Sequence, residues 1–516
     1  MIIDFLTRKT LLFSTSLQQP CLLEMRLARS FASAAKAASK PVIVQKFGGT
    51  SLGTSAKLDK VMDIVRRWAP DNSLAMVVSA LSSDNKAEGT TSRLLAAADT
   101  AIAGGSSSSD SYHNILDKVE DTHMSAIYGS MDGDAAVRDK ACHDVRAELK
   151  SLRRFLDSLT VIQEMSARSH DMIIGCGERL SAIVVAGVLT SNGYPATNVD
   201  LSTVFPTALN TRRVGYQTEA IEAIAAAVRP SIEAGIVPVV TGFVGHVEGG
   251  IVNSIGRGYS DLTAALTAAG LGASAMQVWK ESDGVFTGNP TKIDAARLLQ
   301  YVTPREAAEL THFGNEVLHP FTIECAIDGN VPIHILNTFK PDGNGTVIRV
   351  DASDDDERLK ERGRLGVTAV VQKKGISVVN LTSNRKIDST SFLSRVFAKF
   401  EQHHVKVDLI STSETNLSLT LHETTTRASM AALVRDLDTL GTCTLFRDRA
   451  IVSIIGEDMR SQVGVASETM SCLAAAGVNL EMITQGASEI NMSVVIAEDQ
   501  ADLASAAVHK QFIEIE

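Results

Sequence analysis

Apolar residues in the first third of the chain fall into short runs divided by polar turns and helical spacings. Val42-Ile43-Val44 is short enough for a buried strand. It feeds Lys46-Phe47-Gly48-Gly49-Thr50-Ser51, after which Leu58, Val61, Met62 and Val65 recur at helical spacing. A second run, Leu74 to Val78, ends in Ser79-Ala80-Leu81-Ser82-Ser83. The alternation recurs at Pro195–Val199, Val237–Thr241 and Met276–Trp279, which predicts an α/β domain with a parallel sheet. Residues 100–170 break the rhythm. A Gly/Ser loop is followed by Leu116, Val119, Val145, Leu149, Leu152 and Leu156 at helical spacing, a helical elaboration of the same domain.

A linker is predicted at 341–365, where Pro, Gly and a run of acids keep the chain solvated. Beyond it one pattern occurs twice. The first copy has Gly375–Leu381, a helix through Phe392, Val396, Phe397 and Phe400, and then Val407–Thr412. The second has Ala450–Ile455, a helix through Val465, Met470, Leu473 and Ala476, and then Leu480–Gln485. Ile410 precedes Ile483 by 73 residues, and Asn416 precedes Asn491 by 75. Such a repeat predicts two small α+β sandwiches. The expected boundaries are 1–40 for a tail, 41–340 for the large domain, 341–365 for the linker, and 366–445 and 446–516 for the repeats.

Composition narrows the function. The 516 residues are 44% hydrophobic and 21% charged, enough for a large core. A formal net charge of −11 argues against nucleic-acid binding but leaves a local phosphate site open. The six cysteines show neither CxxC nor zinc-site spacing, which fits reduced thiols. No apolar run is long enough for a membrane span. Residues 1–40 carry Arg8, Lys9, Arg26, Arg29, Lys36 and Lys40 against Asp4 and Glu24, and Met25–Lys36 has no acid. This suits an organelle presequence or a disordered tail. The expected location is cytoplasmic, or mitochondrial if the presequence is genuine.

Four segments offer chemistry. Gly48-Gly49 lets backbone N–H groups approach an anion, with Lys46 adding a point charge, although a plain turn needs the same glycines. Gly175-Cys176-Gly177-Glu178-Arg179-Leu180-Ser181 sets a carboxylate at an apparent helix start, either a dipole partner or a holder of an ammonium. Gly256-Arg257-Gly258-Tyr259-Ser260-Asp261 frees an arginine to grip a carboxylate, with Asp261 a cap or an orienting acceptor. Trp279–Pro290 is a turn-rich loop at a strand end, where α/β sheets place nucleotides.

Taken in order, Lys-Phe-Gly-Gly-Thr-Ser, Val78–Ala80, Lys86–Leu95, Gly-Glu-Arg-Leu-Ser, Gly-Arg-Gly-Tyr-Ser-Asp-Leu and Val317–Thr322 resemble the aspartate kinase family, in its fungal-type monofunctional branch. The resemblance runs from about residue 42 to the end. It implies an amino-acid-kinase αβα sandwich followed by two α+β, ferredoxin-like ACT domains. It implies ATP and Mg²⁺ as cofactors and L-aspartate as phosphoryl acceptor.

Residue by residue, the resemblance gives Lys46 the transferring phosphoryl, and Phe47, Gly48 and Gly49 the phosphates. Ser79, Thr90 and Thr91 take the β-carboxylate, Glu178 the α-ammonium and Arg257 the α-carboxylate. Asp261 orients Lys46, and Lys280, Asp283, Phe286 and Thr287 fall in the nucleotide segment. Asn289-Pro290-Thr291 and Glu316 depart from the family pattern, so no nucleotide contact is assigned there. His319 matches a family position with its role left open. Ile410, Ser411, Thr412, Ser413, Ile483, Gln485 and Asn491 are the implied effector contacts, with threonine as inhibitor, lysine as the alternative, and a homo-oligomer joined through the ACT domains. Two other readings stay open: another amino-acid kinase, such as one acting on glutamate or acetylglutamate, and an inactive amino-acid sensor.

Overall fold

A computed structural model describes residues 40–514, except 84–87, 105–110, 212, 214, 257, 315–317, 350–361, 384–388, 423–426 and 487–489. The presequence question falls outside the described residues, as does the middle of the linker, 350–361.

Among the described residues ten strands belong to the larger half: β1 (Val42–Phe47), β2 (Ser73–Val78), β3 (Ala196–Val199), β4 (Val237–Thr241), β5 (Ala275–Lys280), β6 (Val285–Phe286), β7 (Leu298–Leu299), β8 (Tyr301–Val302), β9 (Ile333–Asn337) and β10 (Thr346–Ile348). Eight form one sheet in the order β3-β4-β2-β1-β5-β9-β10-β8, while β6 and β7 pair separately. The six strands from β3 to β9 run parallel, so their carboxyl ends share one edge. β1 runs further than its apolar run predicted. It is paired on both sides as far as Phe47, which sets Lys46 on the sheet rather than in the loop.

Alternate side chains of the strands feed two cores. Ile43, Leu74, Met76 and Val78 face helices Ser55–Trp68, Thr90–Ile102, Tyr112–Ser130, Ala135–Ile162 and Ala167–Ser191. Leu116, Val119, Val145, Leu149, Leu152 and Leu156 of the predicted elaboration are all buried there. Ser111, Asp134 and Ser166 cap its helices, each accepting a backbone N–H from the first turn. Val44, Ala75 and Val77 face helices Tyr216–Glu233, Tyr259–Leu271 and Pro320–Asp328, and this second core continues into Ala369, Val371, Ile451 and Ile455 of the C-terminal part.

Among the described residues the C-terminal part is built on one six-stranded sheet of β11 (Ala369–Ser383), β12 (Ile410–Thr412), β13 (Asn416–His422), β14 (Gly441–Ile455), β15 (Met482–Thr484) and β16 (Asn491–Ala497), in the order β12-β13-β11-β14-β16-β15. The repeats are nested, not laid end to end. Ile376–Thr382 pairs with β13, whereas Ala369–Lys373 pairs with Ile451–Ile455, which in turn pairs with β16. The register shifts near Gly375 (φ +70°) and Asp448 (φ +57°), where both long strands pass from one copy to the other. The second copy therefore takes its first strand from before the first copy, which a purely sequential reading of the repeat misses.

Candidate active site

Parallel strands converge their carboxyl ends on one crevice, and here β1, β2, β4 and β5 deliver Lys46, Ser79, Gly242 and Lys280 to the same edge. Beneath the Gly48-Gly49 turn, Phe47 stacks on its sheet partner Trp279 with ring centroids 6.1 Å apart and planes 7° from parallel. The turn is pressed against the next loop. A Cβ on Gly49 would meet the Ala80 carbonyl oxygen at 2.1 Å, whereas one on Gly48 would find only Thr50 Oγ1, at 3.9 Å. Gly49 thus serves the close approach of two backbones, and Gly48 leaves open space at the strand end.

Lys46 Nζ lies 2.6 Å from Asp261 Oδ1, with both side chains buried. Burial works to raise the Asp261 carboxyl, but the neighbouring cations Lys46 and Lys280 outweigh it and hold the group below its ordinary range. Asp261 is therefore ionised, and Lys46 is held in place at the end of the central strand.

Helix Tyr259–Leu271 starts at Gly258, whose φ of +94° suits only glycine without strain. Its first turn sets successive side chains on separate walls. Ser260 Oγ lies 2.9 Å from Ser79 Oγ, and Asp261 meets Lys46. Tyr259 and Ser260 were missed in the sequence; their place directly before a candidate acid in a helix's first turn was the available signal. Arg257 lies outside the described residues. Thr90 is buried at the start of helix Thr90–Ile102, its amide donating to the Leu81 carbonyl at 3.1 Å, and Thr91 is half-buried.

Glu178 departs from expectation. It sits in the interior of helix Ala167–Ser191, not at a helix start, so no dipole argument applies. The flanking glycines admit neighbours rather than open a turn: a Cβ on Gly175 would meet the Phe243 ring at 2.8 Å, and one on Gly177 the Ala80 Cβ at 3.0 Å. Glu178 is 2% exposed, and its Oε2 has no hydrogen-bond partner among the described residues. Burial pushes its carboxyl up to about 8, against the downward pull of Tyr259, Lys46 and Arg179.

On the nucleotide side, Lys280 ends β5 half-buried and Glu281 accepts from the Thr50 hydroxyl. Asp283 accepts from Asn337 Nδ2 at 2.6 Å and pairs with Lys340 at 3.0 Å, contacts that lower its pKa. Asn337, at the end of β9, had no motif to reveal it. Phe286 and Thr287 do not join this rim. The chain reverses through Gly284 (φ +142°) and β6 pairs with β7, which carries both residues to the seam with the C-terminal part. Thr287 is 1% exposed, with its hydroxyl 3.0 Å from His509 Nε2 and its carbonyl accepting from Val370. Phe286 lines a seam cavity of about 180 Å³ with Val370, Gln372 and Ser505. These two residues are corrected from nucleotide contacts to interdomain contacts.

The implied effector residues divide. Thr412 and Ser413 are exposed and Ser411 is half-buried, with Ser413 Oγ accepting from the Asn416 amide at 3.2 Å. Ile410 and Ile483 are exposed on the edge strands β12 and β15, and Gln485 is exposed. Asn491 is different: it is buried and bonded to Glu309 of the α/β part. His319 caps helix Pro320–Asp328, its Nδ1 accepting from the Phe321 amide at 3.3 Å.

A buried lysine–aspartate pair beside a glycine turn at the switch point of a parallel sheet defines a phosphotransferase of the amino-acid-kinase class. Residues 41–337 match the Amino acid kinase family, and residues 452–512 match the ACT domain. The chain is 38% identical to the aspartokinase of Schizosaccharomyces pombe, covering 92% of this chain and 93% of that one. It is 37% identical to the aspartokinase of Saccharomyces cerevisiae, covering 91% and 92% respectively. Among solved structures, Escherichia coli aspartokinase III in complex with aspartate and ADP matches with a TM-score of 0.72 at 25% identity, covering 92% of this chain and 100% of that one. The chain belongs to the aspartokinase family, in its fungal branch.

Proposed function

We propose that the chain transfers the γ-phosphoryl group of ATP to the β-carboxylate of L-aspartate, giving 4-phospho-L-aspartate, the opening step towards threonine and methionine. The observation that carries this reading is the buried Lys46–Asp261 pair at the end of β1, flanked by Ser79 and Glu178. An aspartate carboxylate is already ionised at neutral pH, so attack needs no strong base. The obstacle is the meeting of two anions, which calls for positive charge and fixed geometry.

Lys46 supplies that charge to the transferring group, and Asp261 keeps it aimed. Gly48 and Gly49 open the backbone to phosphates. Ser79, Thr90 and Thr91 hold the β-carboxylate, Glu178 takes the α-ammonium, and Arg257 takes the α-carboxylate. Lys280 and Asp283 border the nucleotide.

Magnesium would arrive on the triphosphate and neutralise part of its charge. The exposed β12 loop, Ile410–Ser413, takes the inhibitory amino acid, with threonine the favoured ligand, and copies of the chain associate through their ACT sheets.

Aspartyl phosphate trapped as its hydroxamate, with aspartate and glutamate compared side by side, tests the assignment. Turnover of glutamate in preference to aspartate would overturn it.

A further inference from the structure

The amino end of a parallel strand lies at the opposite edge of the sheet from the crevice at its carboxyl end. At that end of β9 a cavity of about 280 Å³ sits between β10 and helix Pro320–Asp328, with Pro304, Ile323, Ile327, Val331, Ile348 and Arg349 on its wall. That is near the lower end of small-molecule pockets and too small for a helix or a strand.

The wall is apolar except at two places. Asn330, in the left-handed region with φ +50°, turns the chain from the helix toward β9. Arg349 follows β10 directly and is the one charged residue on the wall among the described residues. It is held in place. Its guanidinium lies over the Tyr301 ring, 5.5 Å from the centre, and the Tyr301 hydroxyl donates to the Arg349 carbonyl oxygen at 2.7 Å. An arginine braced over a ring still presents the edge of its fork, which matches a carboxylate with two parallel N–H donors.

The rest of the wall suits a hydrocarbon body, since polar atoms buried there would lack partners. An ammonium would meet Arg349 and, among the described residues, no acid on this wall. The α-amino acids read for the β12 loop are therefore the wrong class for this cavity.

We infer that the cavity is a binding site for a small apolar monocarboxylate, with its carboxylate on Arg349 and its hydrocarbon body against Ile323, Ile327, Val331 and Ile348. Its place gives it a regulatory bearing. Pro304 opens the helix whose Glu306 and Glu309 bond to the C-terminal part. Arg349 is the last described residue before 350–361, and beyond that segment Arg362 pairs with Glu306 at 3.3 Å. A ligand in the cavity touches both this helix and the start of the connection.

Isocaproate and its uncharged counterpart isocaproamide, titrated calorimetrically into the full chain, test the assignment. The acid should bind roughly tenfold more tightly than the amide, because only the acid engages the guanidinium. Arg349→Gln should erase that preference by weakening the acid alone, and Arg349→Lys, which keeps the charge but not the fork, should restore part of it. Amide hydrogen exchange in helix Pro304–His312 should slow when the acid is bound. Absence of isocaproate binding, or equal binding of acid and amide, overturns the inference. So does a preference for the acid that survives in Arg349→Gln, since the acid would then sit elsewhere. The acid–amide comparison uses the unaltered protein and holds whether or not the substitutions disturb folding. Unchanged exchange in that helix while the acid binds would overturn the regulatory bearing.

Discussion

Asn491, in the second regulatory copy, donates its side-chain amide to Glu309 of the catalytic half at 3.0 Å. The same asparagine accepts from Ser493, whose hydroxyl lies 2.6 Å from Ser453, so a line of polar groups crosses the sheet to helix Pro304–His312. One turn earlier on that helix, Glu306 accepts from Thr368 Oγ1 at 2.7 Å and from the Glu457 amide at 3.0 Å, and pairs with Arg362 at 3.3 Å. At its end, His312 approaches Asp408 of the first copy, 4.0 Å away. One catalytic helix therefore touches both copies. Asn416, the counterpart of Asn491, is exposed, and its side-chain partners among the described residues are Thr382 and Thr415 of its own sandwich.

Asn491→Ala strips Glu309 of a buried partner and is expected to cost about 1–3 kcal/mol at the seam. Faster amide hydrogen exchange in both β16 and helix Pro304–His312 is the expected signature. Protection unchanged in that helix would show that the bond does not couple the halves.

Lys46→Met leaves Asp261 buried without its partner and removes the cation at the transfer point. Loss of a preorganised charge of this kind costs about 10²–10³-fold in kcat. Hydroxamate formation measures it. Turnover equal to that of the unaltered enzyme would end the proposed role of Lys46.

Glu178 makes the ligand-free protein less stable as pH rises. Its folded pKa is raised to about 8 from 4.5. A raised acid binds its proton more tightly when folded, so its stabilising contribution is complete below the unfolded value. That contribution is lost as pH climbs through the folded one. Thermal melts without aspartate should fall between pH 5 and 8, and Glu178→Gln should flatten that decline. Parallel curves for the two proteins would refute the burial argument.

Gly49→Ala forces a methyl group toward the Ala80 carbonyl oxygen, a backbone atom that cannot swing aside. About 1–3 kcal/mol of overpacking is expected, together with a displaced turn. Calorimetric titration with a non-hydrolysable ATP analogue should show weakened binding. Gly48→Ala, which meets nothing closer than 3.9 Å, should fold as well as the parent.

Thr412→Ile and Ser413→Leu place bulk at two exposed positions at the end of edge strand β12. Inhibition by threonine should relax while kcat stays near that of the parent. Dose–response curves that overlay those of the unaltered enzyme would remove this loop from the effector site.

Much of the α/β half was legible because its strands are short apolar runs buried on both faces, and Val237–Thr241 matches β4 at both ends. The glycine turn, Lys46 and Asp261 were readable because phosphate chemistry requires small residues and a cation at a strand end. Glu178 was placed on the wrong part of its helix, since glycines that admit Phe243 and Ala80 look in sequence like glycines that end a turn. Phe286 and Thr287 were misplaced because nothing local announces the seam. Their partners, Val370 and His509, come from the far end of the chain. Asn337 and Ser260 meet Asp283 and Ser79, partners distant in sequence, which no spacing rule encodes.

The two long strands β11 and β14 each give one end to either regulatory copy. The second copy cannot be excised as a contiguous module, because the first is inserted into it. A chain stopped at residue 445 would keep Ala369–Lys373 as an apolar ribbon stripped of its β14 neighbour, an open edge inviting association with other chains. Swapping sensors among such enzymes by splicing at the sequence midpoint should therefore give aggregating hybrids, whereas exchange of the inner block from Ile376 to Arg449 respects the fabric.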